Sequence, residues 1–232
     1  MQMPEIIYED RHLVAVNKPA RVPVASEDSG DLTLLSMVRE WNKLRQEPGK
    51  KGYCVPIHFL DRPVSGVILF AISSKGASRL NQMFRDRLMH KTYLAVVHGA
   101  PGSAEGQLEH WLSKDHNENF SKVVSAKSED GKKCVLNFRV LATVEGRSLV
   151  KVNPITGRSH QIRAQFAAIG CPLLGDTKYG AASSWDGRVA LHATTLKFAH
   201  PVGGSAMSLA AKLPDYWRDV WFGQFPDVTD IS

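Results

Sequence analysis

The run His58-Phe59-Leu60-Asp61-Arg62-Pro63-Val64-Ser65-Gly66 sets one carboxylate just ahead of a strongly apolar stretch. Arg62-Pro63 and Ser65-Gly66 carry turn chemistry, so Asp61 is expected where a loop enters a sheet, on rigid backbone. A carboxylate held that way suits a nucleophile or a general base. On the local sequence alone, an aspartate that merely caps a turn is the commoner explanation. A second segment is Asn153-Pro154-Ile155-Thr156-Gly157-Arg158-Ser159-His160-Gln161-Ile162-Arg163. It reads as the end of a strand, a Thr-Gly turn and a helix beginning near Ser159. Ile162, Phe166 and Ile169 recur at helical spacing as the core face, and Gly170 suits the stop. His160 and Arg163 are three apart and share another face. Basic residues in a first turn oppose the helix dipole, so Arg158 and Arg163 make sense there if an anion or carboxylate meets them. A solvated basic face is the equal alternative. Third comes Lys91-Thr92-Tyr93-Leu94-Ala95-Val96-Val97, where strand alternation puts Tyr93, Ala95 and Val97 on one face. A tyrosine so placed is commonly core with its hydroxyl at the rim.

Elements must position these groups. Residues 6–17 read as two short strands around the turn Glu9-Asp10-Arg11. Residues 33–44 show a helical pattern through Leu34, Leu35, Met37, Val38, Trp41 and Leu44. Residues 46–52 read as a basic loop. Residues 67–72 are continuously apolar, the mark of a strand buried on both faces. Ser74 is expected to cap a helix over 75–88 with Ala77, Leu80, Phe84 and Leu88 on one side. Strands follow at 92–97, 134–141, 148–153, 190–198 and 206–210. The order is mostly sheet with a few flanking helices, which predicts an α+β fold with a mixed or largely antiparallel sheet.

Composition narrows the partners. The chain has 232 residues, 29 Lys plus Arg against 23 Asp plus Glu, and a formal charge of +6, which favours a polyanion. No stretch approaches the roughly 20 apolar residues of a membrane span. Cys54, Cys134 and Cys171 are odd in number and widely spaced, so no disulfide framework or metal knuckle is expected, and a reducing cytoplasm fits. No helix-turn-helix or zinc signature supports a DNA-binding module.

Taken in order, Glu9-Asp10, Asn17-Lys18-Pro19, His58-Phe59-Leu60-Asp61, Ser65-Gly66, Lys91-Thr92-Tyr93 and the 156–163 segment form a constellation. Gly170-Cys171-Pro172-Leu173-Leu174-Gly175-Asp176, Tyr179-Gly180, Leu191-His192-Ala193 and Phe198-Ala199-His200-Pro201 continue it. In this the chain resembles the RluA family of pseudouridine synthases over residues 5–210. The resemblance implies a bent mixed sheet with flanking helices and a central cleft for ribosomal or transfer RNA. It implies a single catalytic domain over residues 1–232, acting as a monomer, without a separate RNA-binding domain ahead of it.

The family's aspartate matches Asp61, its active-site tyrosine Tyr93, and the arginine that pairs with the aspartate Arg163. Breaking the N1–C1′ bond, turning the uracil and joining C5 to C1′ involves no redox step, so no cofactor or metal is expected. Either role of the carboxylate needs it charged and dry, and a guanidinium is suited to keeping it so. His58, Phe59, Arg62, Arg158 and His160 are candidate RNA contacts. For each histidine a satisfied structural role is the even alternative. Phe59 stands where the family usually has arginine. It can stack or wedge but cannot pair with phosphate. An RNA-binding protein on the same scaffold, its chemistry lost, is the competing reading, and Phe59 alone favours it. Ala20-Arg21 stands where relatives often have a glycine.

Overall fold

The computed structural model describes residues 4–25, 32–45, 52–115 and 118–221. The expected basic loop lies outside them except for Gly52. In chain order the elements are β1 (Glu5–Glu9), β2 (Leu13–Lys18), α1 (Leu34–Leu44), β3 (Val55–Pro56), β4 (Ser65–Ala71), α2 (Ser74–Arg85) and β5 (His90–His98). There follow β6 (Glu105–Asp115), β7 (Phe120–Val124), β8 (Lys132–Val144), β9 (Arg147–Pro154), α3 (Gln161–Ala168), β10 (Leu191–Ala199) and β11 (Ala206–Ala210). Short 3-10 turns lie at Thr177–Tyr179 and Asp215–Asp219. The α+β expectation holds, and the pairings described below are antiparallel. Among the described residues, no helix is long and apolar enough to cross a membrane.

Two compact units make up the chain. The first combines Met1–Lys91 with Ala193–Leu213. In it β1 pairs with β2, β2 with β4 from Leu13↔Ala71 to Lys18↔Gly66, and β10 with β11. The β1–β2 turn is set by Asp10, whose Oδ1 accepts the His12 and Leu13 N–H groups at 2.7 and 2.9 Å. All seven residues of β4 are buried, as a continuous apolar run requires. Gly66 sits in this strand at φ +120°, and a Cβ there would lie 2.3 Å from the Ala193 carbonyl oxygen. Only a glycine lets the two backbones approach so closely.

Both helices of this unit differ from expectation at their ends. Thr33 and Ser36 form a capping box for α1, while Leu44, expected in its apolar stripe, is exposed. Ser73, not Ser74, caps α2 by accepting the Gly76 N–H at 3.0 Å. The Ser73 hydroxyl also meets His12 Nδ1 at 3.0 Å, and that distant contact selects it over its neighbour. Helix α2 stops at Arg85 and leaves Leu88 exposed.

The second unit combines Thr92–His192 with Pro214–Ile231. Its sheet runs β5-β9-β8-β6-β7, each neighbour antiparallel. Strands β6 and β7 were not expected from the sequence. Their residues are mostly exposed or half-buried. Helix α3 begins at Gln161 and ends beside Gly170 at φ +76°, the expected stop. Gln161 through Phe166 are all buried, so the helix has no solvated basic face. The same helix keeps Ile162 and Phe166 in the core, as expected, and leaves Ile169 half-buried.

Replacing Gly66 with alanine is expected to cost about 3 kcal/mol or more, because the new methyl meets backbone rather than a movable side chain. Urea denaturation at neutral pH measures it, and a loss under about 1 kcal/mol would contradict the close approach.

Candidate active site and RNA-contact residues

Asp61 lies in the first unit, in the turn that leads into β4. The Val64 N–H donates to the Asp61 carbonyl at 3.1 Å and closes that turn. Burial alternates along the approach: His58 and Leu60 are buried, Phe59 is 66% exposed, and Asp61 is half-buried. Phe59 and Asp61 are therefore the residues of this approach that reach the surface of the unit.

The turn is pinned from beneath by a residue to which sequence reasoning gave no role. Lys18, at the end of β2, is fully buried. Its ammonium donates to the carbonyls of Pro19 at 2.9 Å, Arg62 at 3.2 Å and Val64 at 2.7 Å. Three donors meet three acceptors, so the charge is desolvated yet hydrogen-bonded. Burial pulls the Lys18 amine down to about 7, against the upward pull of the Asp61 charge, while Arg62 pushes it further down. Arg21 adds a second tie, its N–H donating to the Arg62 carbonyl at 2.7 Å while Arg62 Nε donates to the Arg21 carbonyl at 3.1 Å. Arg21 holds φ +74°, which explains why a glycine suits this position.

His58 is packed into the first unit. Its buried Nε2 accepts the Leu69 N–H at 3.2 Å, and its ring stacks on Phe84 at 6.1 Å. Burial, helped by the Lys91 charge, pushes the imidazole down to about 3, so it is neutral. These contacts fit the satisfied structural role that was the even alternative to an RNA contact. Arg62 and Phe59 remain exposed on the surface of this unit.

The other four site residues lie in the second unit. Tyr93 is buried in β5, opposite Val152 of β9. The turn before α3 is fastened to the edge of β8. Thr156 Oγ1 accepts the Val135 N–H at 2.9 Å and donates to Gln161 Oε1 at 2.8 Å. Gln161 also accepts the Arg158 N–H at 3.0 Å and donates to the Val135 carbonyl at 3.1 Å. Arg158 itself is exposed, its Nε donating to the Lys133 carbonyl at 3.3 Å.

His160 precedes α3 in the left-handed region at φ 52°, buried, with Nδ1 3.0 Å from the Tyr179 hydroxyl. It too fits the packed alternative. Arg163, in the first turn of α3, is met by a carboxylate, as its position demanded. Within this unit that carboxylate is Asp176: Nε donates to Oδ2 and Nη2 to Oδ1, both at 2.7 Å. Sequence reasoning quoted Gly175-Asp176 and Tyr179-Gly180 but gave neither Asp176 nor Tyr179 a role. The Gly-Asp pair reads locally as a turn, which hides the charge partner.

The model of one family, described as RNA pseudouridylate synthase, matches residues 12–168. The chain is 36% identical over 214 residues to the dual-specificity RNA pseudouridine synthase RluA of Haemophilus influenzae, covering 90% of this chain and 92% of that one. It is 33% identical over 238 residues to the tRNA pseudouridine synthase C of Vibrio parahaemolyticus, covering 94% and 93%. A ribosomal large subunit pseudouridine synthase C of Rickettsia prowazekii is 30% identical over 215 residues, covering 91% and 69%. Among solved structures, human RNA pseudouridylate synthase domain containing 4 superposes with a TM-score of 0.76 at 25% identity, covering 92% and 90%.

Replacing Lys18 with methionine tests the buried amine through pH. A lysine whose amine is lowered on folding binds its proton more weakly in the native state. Between its folded value near 7 and its ordinary value, 10.5, the unfolded chain holds more protons. The parent's stability should therefore rise relative to Lys18→Met as pH climbs through that window, and the cost of burying the charge should be fully present below it. Parallel denaturation series of the two proteins from pH 6 upward measure the difference. A difference that stays flat would show that Lys18 titrates normally.

Proposed function

Because this chain belongs to the RNA pseudouridylate synthase family, it is an enzyme that isomerises uridine in RNA to pseudouridine, and we propose that Asp61 is its essential carboxylate. Tyr93 and Arg163 complete the catalytic set. The observation that carries this reading is that the family match, residues 12–168, spans all three residues. The names of the relatives support ribosomal or transfer RNA as the substrate. The formal charge of +6 suits either. The match also runs through parts of both units, which supports one catalytic domain built from the two. The protein acts as a monomer in the cytoplasm, where its three buried free cysteines stay reduced.

The reaction moves one bond and one proton. The N1–C1′ bond breaks, the uracil turns, C5 joins C1′, the C5 proton leaves to solvent, and N1 takes up a proton. An ionised Asp61 serves by attacking C1′ or by taking a proton from the ribose. Arg163, which matches the family's carboxylate-pairing arginine, supplies a guanidinium of the kind that holds a carboxylate ionised. Tyr93 offers a flat face to the uracil and a hydroxyl near the ring where the C5 proton is exchanged. The target base must leave its stack, which costs a few kcal/mol. Phe59, exposed beside Asp61, can stack on the bases left behind. Arg62 and Arg158, exposed and cationic, contact phosphate.

Asp61→Asn keeps shape and removes charge. Tritium release from RNA labelled at uridine C5 should fall by about a hundredfold or more, with folding intact. Turnover within about tenfold of the parent would sink the assignment. Mapping pseudouridines in total RNA with and without the gene identifies the site.

Phe59→Ala should weaken binding and slow modification of structured RNA, by about 1–3 kcal/mol per lost stack. A short unpaired RNA should be affected less. Thermal stability should hardly change, because the ring is already 66% exposed. A large drop in melting temperature with equal losses on both RNAs would show a packing residue instead.

A further inference from the structure

Resting on the reading of Arg163 as an active-site group, we propose that Asp176 is a positioning residue that fixes which edge of the Arg163 guanidinium is presented to the reaction. The pair is nearly dry, with the side chains of Arg163 and Asp176 6% and 1% exposed. Asp176 takes Nε–H and one Nη2–H in a side-on fork. A guanidinium has five N–H donors in fixed geometry, so that fork commits two and leaves the Nη1 pair and one Nη2–H for other acceptors. Rotation of the group is blocked as long as both oxygens are engaged.

The same segment supplies a second wall. The Tyr179 ring lies against the guanidinium, its centroid 5.0 Å from Cζ. The Tyr179 hydroxyl is saturated. It accepts the Ser121 N–H at 2.9 Å, donates to the Ser121 carbonyl at 3.1 Å, and lies 3.0 Å from His160 Nδ1. Three neighbours therefore hold the Tyr179 ring in place against the guanidinium. Asp176 is equally constrained. Its N–H donates to the Leu173 carbonyl at 3.1 Å, and its carbonyl accepts from Tyr179 at 2.9 Å and Ala181 at 3.1 Å. Gly175 before it holds φ +82°, where a Cβ would lie 2.5 Å from the Arg188 carbonyl oxygen.

Stability alone gives little reason for such a pair, because a buried ion pair is generally no better than an apolar replacement. Its charges largely cancel at a distance, so Asp176 contributes direction rather than field. Placing a reacting partner wrongly by about an ångström is enough to cost about a hundredfold in rate.

The test uses total RNA from cells lacking the gene, labelled with C5-tritiated uridine, and measures tritium release over a range of RNA concentrations. Asp176→Asn, Asp176→Glu and Arg163→Met are compared with the parent well below their melting temperatures. Asp176→Asn should lose about a hundredfold in kcat with KM within about threefold, and Asp176→Glu should fall between it and the parent. Should the Asn variant fail to fold, Asp176→Glu carries the test: kcat lowered by about tenfold at an unchanged melting temperature supports positioning, and a parent-like kcat overturns it. A folded Asp176→Asn with parent-like kcat, while Arg163→Met is inactive, refutes the role of Asp176 alone. A loss of rate that only tracks the unfolded fraction refutes it too. An active Arg163→Met refutes the reading of Arg163 itself, and the proposal with it.

Discussion

A cation taken out of water must be answered by acceptors, and both units of this chain are organised around one such obligation. In the first it is Lys18, whose ammonium gathers the carbonyls of Pro19, Arg62 and Val64. In the second it is Arg163, held by the two oxygens of Asp176. The two answers differ in kind. Backbone carbonyls compensate Lys18 without neutralising it, so its charge remains and its proton is held loosely. A carboxylate neutralises Arg163, so the group keeps its direction and loses most of its reach. Each arrangement fixes a chemically important segment, the Asp61 turn in one case and the first turn of α3 in the other.

The outlines of both units were legible where side-chain pattern and environment agree. Strand β4 is buried throughout and continuously apolar from Val67, and β11 was read with its observed limits. Strands β6 and β7 were illegible for a physical reason. Glu105, Gln107, Glu109 and Lys114 alternate with nothing consistently apolar, because β6 is held by its register with β8 rather than by its own burial. Propensity describes a residue's fit to a half-buried pleat, and these residues fit only because neighbours already occupy the sheet. The cap of α2 failed for a similar reason, since the choice of Ser73 depends on His12 across the fold.

The candidate residues divided the same way. Asp61, Tyr93 and Arg163 could be named because motifs carry them. The burial of His58 and His160 could not, since a histidine's partners are set by elements far away in sequence: Leu69 and Phe84 for one, Tyr179 for the other. Asp176 was hidden by its company, between a glycine and a short turn. The glycine noted as missing near Lys18 proved informative once the backbone was seen. Arg21 occupies the left-handed conformation that a glycine there would take at less cost.

The first unit is discontinuous in sequence, completed by Ala193–Leu213 only after Thr92–His192 has intervened. Strand β4, apolar on both faces, neighbours β10 in the sheet, and β10 is synthesised about a hundred residues later at a ribosomal pace of some 5–20 residues per second. For several seconds of each round of translation, the nascent chain therefore carries a buried-type strand whose edge toward β10 is met only by the two residues of β3. Non-local pairing of this sort raises contact order and slows folding. In the second unit the β6–β7 and β8–β9 hairpins can form from local contacts, and β5 waits for β9. Vectorial synthesis thus imposes an order on assembly, and chaperone dependence should concentrate in the half of the molecule that has to wait.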